Sequence, residues 1–164
     1  MKSLRIQKKH ILVLIIAVLI PIIVGVFSAF LTAKDMKIYE TMEKPPLSPP
    51  GWLFPIVWTL LYAMMGFASF YVCVSDADTG LKRKALTFYA AQLIMNMFWS
   101  TLFFTYGLYL LSLIWLLAMW VLIIAATVVF WKINRASGIM MGVLVIWTTF
   151  AAYLNLGAYI ISIR

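Results

Sequence analysis

Five apolar blocks, residues 11–31, 52–74, 85–106, 108–131 and 138–161, run through this chain with no Lys, Arg, Asp or Glu in any of them. Each reaches the about 20 residues that a helix needs to cross a hydrocarbon core. In lipid the backbone satisfies its polar groups only as a helix or a closed barrel, and continuous apolar runs lack the alternation of barrel strands. The predicted fold class is therefore all-α integral membrane, a five-transmembrane-helix bundle, with residues 1–164 forming one membrane domain. Charged residues make up 11% of the chain against 65% hydrophobic ones, too few to clothe a water-soluble surface.

The first block follows Lys2, Arg5, Lys8 and Lys9, as a signal peptide would. Its apolar run exceeds the roughly 7–15 residues of a signal core, and no small-x-small cleavage site closes it, so it is read as a span. With five spans, nine basic residues fall on the side of the N-terminus and four on the other (Lys34, Lys37, Lys44 and Arg164). This asymmetry predicts a cytoplasmic N-terminus in a bacterial inner membrane and puts the long loop 32–51 outside. The net charge of +8 is then a topology signal, and no soluble domain supports a nucleic-acid partner. The one cysteine, Cys73, excludes an intramolecular disulfide, and no cluster of His, Cys or carboxylates in the membrane blocks suggests a metal site. Short links at 75–84 and 132–137 predict that consecutive helices are antiparallel neighbours.

Five of the six prolines fall within residues 43–62, "EKPPLSPPGWLFPIVWTLLY". They forbid helix and favour a stiff extended path leading into the second block. The residues before them, "AKDMKIYETMEK", have the pattern of a short amphipathic helix. No ionisable group lies within a span, which argues against a proton-coupled pump. Aromatics and a few amides remain. Trp52, Trp131, Tyr106 and Tyr109 sit at block ends, where interfacial belts form; Trp58, Trp99, Trp115, Trp120 and Trp147 lie deeper. Trp58, Tyr62 and Gly66 recur at steps of four, Gln92, Asn96 and Ser100 form a second stripe beside Trp99, and Trp147, Ala151 and Asn155 a third. These faces read equally as interhelical hydrogen-bonding contacts or as the walls of a cavity for a large planar apolar ligand. Gly138 and Gly142 form a G-x-x-x-G that suits helix packing within or between chains.

The stretch "KPPLSPPGWLFPIVWTLLYAMMG" resembles the signature of the TspO or translocator protein family, the tryptophan-rich sensory proteins also called peripheral benzodiazepine receptors. "QLIMNMFWSTLFF" and "WTTFAAYLN" are similar to the family's third- and fifth-helix patterns, and span number and order agree from about Ile11 onward. The resemblance implies a TspO/MBR-like five-helix bundle, often a homodimer, with a pocket under the first loop. Its implied ligand is a tetrapyrrole such as protoporphyrin IX, or another planar hydrophobic molecule, with no required cofactor. By matching position, the resemblance implies Tyr39, Trp58, Asn96, Trp99, Trp147 and Ala151 as ligand-binding residues. Tyr62, one turn deeper than Trp58, is added from the stripe. Trp58 and Trp147 match tryptophans linked in the family to light- and oxygen-dependent porphyrin degradation, so they are the candidate catalytic pair of a protein otherwise expected to bind and sense. Lys34, Lys37 or Lys44 are available for propionates.

Four features depart from the family pattern. Leu47 stands where relatives carry a loop tryptophan, Pro55 lies one place early, Trp115 occupies an acidic position, and Val143 and Leu144 replace Pro and Tyr. A cholesterol-recognition pattern can be drawn through Leu156, Tyr159 and Arg164, but such matches are common by chance in apolar helices. Two other functions remain compatible with the sequence: a transporter or exporter of porphyrins or lipids, and a regulator acting through a protein partner.

Overall fold

A computed structural model describes residues 8–35, 39 and 41–164. It contains five long helices: α1 (Lys8–Thr32), α2 (Leu53–Val74), α3 (Thr79–Ser100), α4 (Tyr109–Ile133) and α5 (Arg135–Ser162). No strand occurs among the described residues. α1, α2, α4 and α5 are each long and apolar enough to cross a membrane, so the protein is an integral membrane helical bundle. α3 has the length, at 22 residues, but not the apolarity. Its first turns carry Lys82, Arg83 and Lys84, and its inner face carries Gln92, Asn96 and Ser100. The same residues that give this helix its internal role lower its hydropathy.

The helices form a ring in the order α1, α2, α5, α4, α3, with α3 closing back on α1. Short links do not make every consecutive pair neighbours. α2 and α3, joined by residues 75–78, touch at few points, whereas α2 packs on α5. A four-residue link fixes only the ends of two helices; the side chains along them decide which faces meet.

The α1–α2 seam depends on Gly66. A Cβ there would collide with the Val18 backbone and crowd the Ala17 carbonyl. Pro21, buried within α1, has no N–H to donate to that carbonyl four residues back. The glycine thus admits a close backbone approach where α1 is short of one hydrogen bond. Gly138 is used inside the chain, against Trp131, while a side chain at Gly142 would meet open space.

At its far end α3 widens into a π turn, Thr101–Thr105, in which the Tyr106 N–H donates to the Thr101 carbonyl (3.1 Å). The extra residue brings both Phe103 and Phe104 inward, where they are buried. Gly107, at φ +61°, turns the chain into α4, as its place in "TYGLY" predicts. Of the expected belt residues, Trp52, Trp131 and Tyr106 are exposed. Tyr109 is not: its ring packs edge-on against Phe103 (5.1 Å between centroids), and its carbonyl is bonded within the bundle.

The proline segment is non-helical and crosses the end of the bundle as a strap, but it is broken by a turn at residues 45–48 and not extended throughout. Pro45 lies on Gly157 of α5, the Tyr153 hydroxyl donates to the Pro46 carbonyl (2.9 Å), and the Tyr39 hydroxyl donates to the Pro49 carbonyl (2.9 Å). Leu53 and Phe54 N–H groups bond back to Pro50 and Gly51, which starts α2. Within the strap, residues 45–48 make a turn closed by Ser48 N–H to the Pro45 carbonyl (3.3 Å), with Leu47 at φ +65°. That position of a type II turn suits glycine, and a side chain there costs about 1–2 kcal/mol. Leu47 is 81% exposed and gains little by packing. Leu47→Gly is expected to raise stability by about 0.5–1 kcal/mol once glycine's own entropy cost is subtracted. A higher thermal midpoint in detergent checks this.

Candidate functional site

The inward faces of α1, α2, α3 and the π turn enclose a cavity of about 130 Å³. Trp58 and Tyr62 of α2, Asn96 and Trp99 of α3, and Phe104 of the π turn line it, with Phe54 at the strap end. α1 contributes only small side chains, Gly25, Ser28, Ala29 and Thr32. Their size makes the space: a Cβ on Gly25 would overlap the Tyr62 ring. An adjoining groove of about 210 Å³ shares Gly25, Ala29, Pro55, Trp58 and Tyr62 and adds Ile22, Val26 and Thr59. Trp58, half-buried, is a common wall of the two.

Hydrogen bonds hold these walls in place. The Tyr62 hydroxyl donates to Asn96 Oδ1 (3.0 Å), and Ser28 and Ser100 share a hydroxyl contact of 2.7 Å. Trp99 stacks on Phe103 (5.6 Å, 29°), and its Nε1 donates to Asn155 Oδ1 (3.1 Å). Asn155 also accepts from Ser112 (3.1 Å) and donates through Nδ2 to the Tyr109 carbonyl (2.9 Å), joining α3, α4 and α5 at one side chain. Trp115 donates to the Met95 carbonyl (2.8 Å), next to Asn96. Its indole tethers α4 to the helix that carries the cavity amide.

Buried polar atoms without a partner are costly, on the order of 1–3 kcal/mol each. Two such donors belong to predicted site residues: Asn96 Nδ2 and Trp147 Nε1 have no acceptor among the described residues. Asn96 belongs to the cavity lining, with its Nδ2 buried in the wall and its Oδ1 held by Tyr62.

Of the seven predicted ligand residues, Trp58, Tyr62, Asn96 and Trp99 line one cavity. Tyr39 lies one layer out as a cap: it is buried, and its ring meets Phe54 (5.1 Å) and Phe104 (6.2 Å) edge-on. Burial pushes the Tyr39 hydroxyl above its ordinary range, against a smaller lowering by Ser48. Trp147 and Ala151 do not line the cavity. Trp147 packs edge-on against Phe54, 6.1 Å between ring centroids, so of the two tryptophans paired as catalytic candidates only Trp58 is in the cavity lining. Lys44 Nζ lies 4.8 Å from the Tyr39 ring centre, and Lys37 is outside the described residues. Sequence reasoning missed Phe54, Phe104 and the whole contribution of α1. The last had a readable signal, Gly25, Ser28, Ala29 and Thr32 at helical spacing, hidden inside an otherwise uniform apolar run.

Residues 17–160 match the pattern of the TspO/MBR family. The chain is 32% identical over 150 residues to the tryptophan-rich protein TspO of Chlorobaculum tepidum, across 91% of this chain and 95% of that one. It is 32% identical over 154 residues to the tryptophan-rich protein TspO of Archaeoglobus fulgidus, covering 93% and 99%. It is also 29% identical over 131 residues to the translocator protein of Homo sapiens, covering 78% and 76%.

Proposed function

The chain belongs to the TspO/MBR family, and from that membership and the aromatic cavity we propose that it is a membrane receptor-like protein that binds a tetrapyrrole, with protoporphyrin IX as the type ligand. The observation that carries this reading is a cavity walled by the rings of Trp58, Tyr62 and Trp99, with the Asn96 amide, its Nδ2 unpartnered, in the same wall. Indole faces stack on a planar conjugated ring, and one amide donor fixes its orientation. A carbonyl, carboxylate or unprotonated pyrrole nitrogen would accept from Asn96.

Size sets a condition. At about 130 Å³ the cavity is smaller than the roughly 300–1,000 Å³ of ligand pockets, so a macrocycle binds only as the site widens. The shared wall supplies the means: rotation of Trp58 joins the cavity to the adjoining groove, and a shift of Tyr39 with Phe54 lifts the strap-side cap. In this reading the N-terminus faces the cytoplasm, in keeping with the nine-to-four basic asymmetry, and the strap faces outward. Photochemistry, where it occurs, belongs to the bound porphyrin; the protein positions and shields it.

A fluorescence titration tests the proposal. Protein in lipid nanodiscs is expected to quench protoporphyrin emission saturably, to one ligand per chain. Quenching that grows without limit and equals that of empty nanodiscs rejects a specific site.

A further inference from the structure

At the end of the bundle where α2 stops and α3 starts, a wide groove opens on the outer surface. It lies apart from the aromatic cavity and shares no residue with it. The groove, of about 720 Å³, exists because α2 and α3 touch at few points although only residues 75–78 join them. Thr79, Lys82 and Arg83 line its polar end; Cys73, Leu86 and Ala90, with the one hydroxyl of Thr87 among them, line its more apolar stretch.

The order of these residues along α3 is the order of a phospholipid. Lys82, Arg83 and Lys84 stand immediately before the third apolar block, where a headgroup lies. Ala90 follows Arg83 by seven residues, about 10 Å of helix, the depth of the first part of an acyl chain. The cations divide their work. Lys82 Nζ donates to the Ser75 carbonyl (2.7 Å) and the Cys73 carbonyl (3.4 Å), closing the end of α2. Asp78 turns its carboxylate to the Leu81 N–H (3.0 Å). Arg83 is exposed and has no ion pair among the described residues. A fork of donors above an apolar trough fits a phosphate that carries its own hydrocarbon. A zwitterionic headgroup would bring a second cation to an already basic end, so charge favours an anionic lipid.

We propose that the α2–α3 groove is a binding site for an anionic phospholipid, with its phosphate on Arg83 and Thr79 and an acyl chain along Leu86 and Ala90. The site is independent of the tetrapyrrole reading.

Cys73, the one cysteine of the chain, is exposed in this groove and reports its occupancy. Full-length protein is placed in nanodiscs of phosphatidylcholine, with or without phosphatidylglycerol, and alkylation of Cys73 by a membrane-permeant maleimide is timed. The expected result is a several-fold slower reaction with phosphatidylglycerol, lost in Arg83→Gln and kept in Lys132→Gln, a neutralised cation outside the groove. Arg83→Gln leaves the Lys82 closure of α2 intact. Removing a cation near a thiol slows alkylation by itself, so a faster rate in this variant marks loss of lipid. Equal wild-type rates in the two bilayers, or equal protection in Arg83→Gln, overturn the proposal. Protection by inorganic phosphate alone, or protection that rises with the number of chains per disc, also overturns it, assigning the site to a free anion or to a second copy of the chain.

Discussion

Asn155→Leu is expected to lower the stability of the bundle by about 2–4 kcal/mol, although leucine is close in size and better suited to lipid. The reason is the number of bonds that end on this one buried side chain. Its Oδ1 accepts from Trp99 and Ser112, and its Nδ2 donates to the Tyr109 carbonyl. Interhelical hydrogen bonds in membranes contribute about 0.6 kcal/mol on average and up to about 1.7, so three of them give about 2–5 kcal/mol, and the second acceptor of Ser112 lowers the upper end to the range stated. Ser112 keeps a second acceptor in the Tyr109 carbonyl (2.9 Å), whereas Trp99 Nε1 has no other bond shown and is left buried. A reversible unfolding titration in detergent, run as a double-mutant cycle with Trp99→Phe, measures the coupling. A loss below about 0.5 kcal/mol for Asn155→Leu would show that the amide junction is incidental to the bundle.

Trp58→Ala is expected to weaken tetrapyrrole binding by about 10–100-fold, equivalent to about 1.4–2.8 kcal/mol. The indole is a wall of both the cavity and the adjoining groove. Its removal enlarges the space but deletes a stacking surface, and a ring held against water and lipid needs the surface more than the room. Trp147→Ala provides the comparison. That indole packs against Phe54 and is outside the cavity lining, so its loss is expected to weaken binding less. The reverse order, with Trp147 dominant, would place the ligand on the α5 side of Phe54. Both titrations use the saturable quenching described above.

Much of this arrangement was legible in the sequence because helical spacing converts directly into shared faces. The stripe Gln92, Asn96 and Ser100 points inward, and each member finds a partner: Gln92 donates to Met65 Sδ (3.4 Å), Asn96 accepts from Tyr62, and Ser100 meets Ser28. Gly66 marks a close helix crossing, as its place below Trp58 and Tyr62 suggests. The strap could also be anticipated, since proline leaves the backbone few other options.

Other features were not legible, for physical reasons. Which helix lies beside which depends on the fit between faces, so the separation of α2 from α3 cannot be read from a short link. Trp147 meets the cavity lining at Phe54, a residue with no signal except its apolarity. The π turn is one misplaced hydrogen bond at a helix end, and no residue type demands it, yet it turns Phe104 into the cavity. Leu47 shows the opposite case. Its place in a proline run predicts an extended path, but the chain turns there, and a left-handed leucine is a local cost that glycine would remove.

A porphyrin seated among Trp58, Trp99 and Asn96 would report its own position through its photochemistry. Under light, bound protoporphyrin passes energy to dissolved oxygen, and the resulting singlet oxygen oxidises the nearest indoles. The protein is illuminated at one porphyrin per chain in nanodiscs, with azide in the bulk water, and oxidised tryptophans are mapped by peptide mass spectrometry. Trp58 and Trp99 are expected to be oxidised first, although Trp99 is only 6% exposed while Trp52 and Trp131 are 66% and 47% exposed. Oxidation that follows exposure, with Trp52 and Trp131 ahead of Trp58 and Trp99, would contradict that placement of the porphyrin.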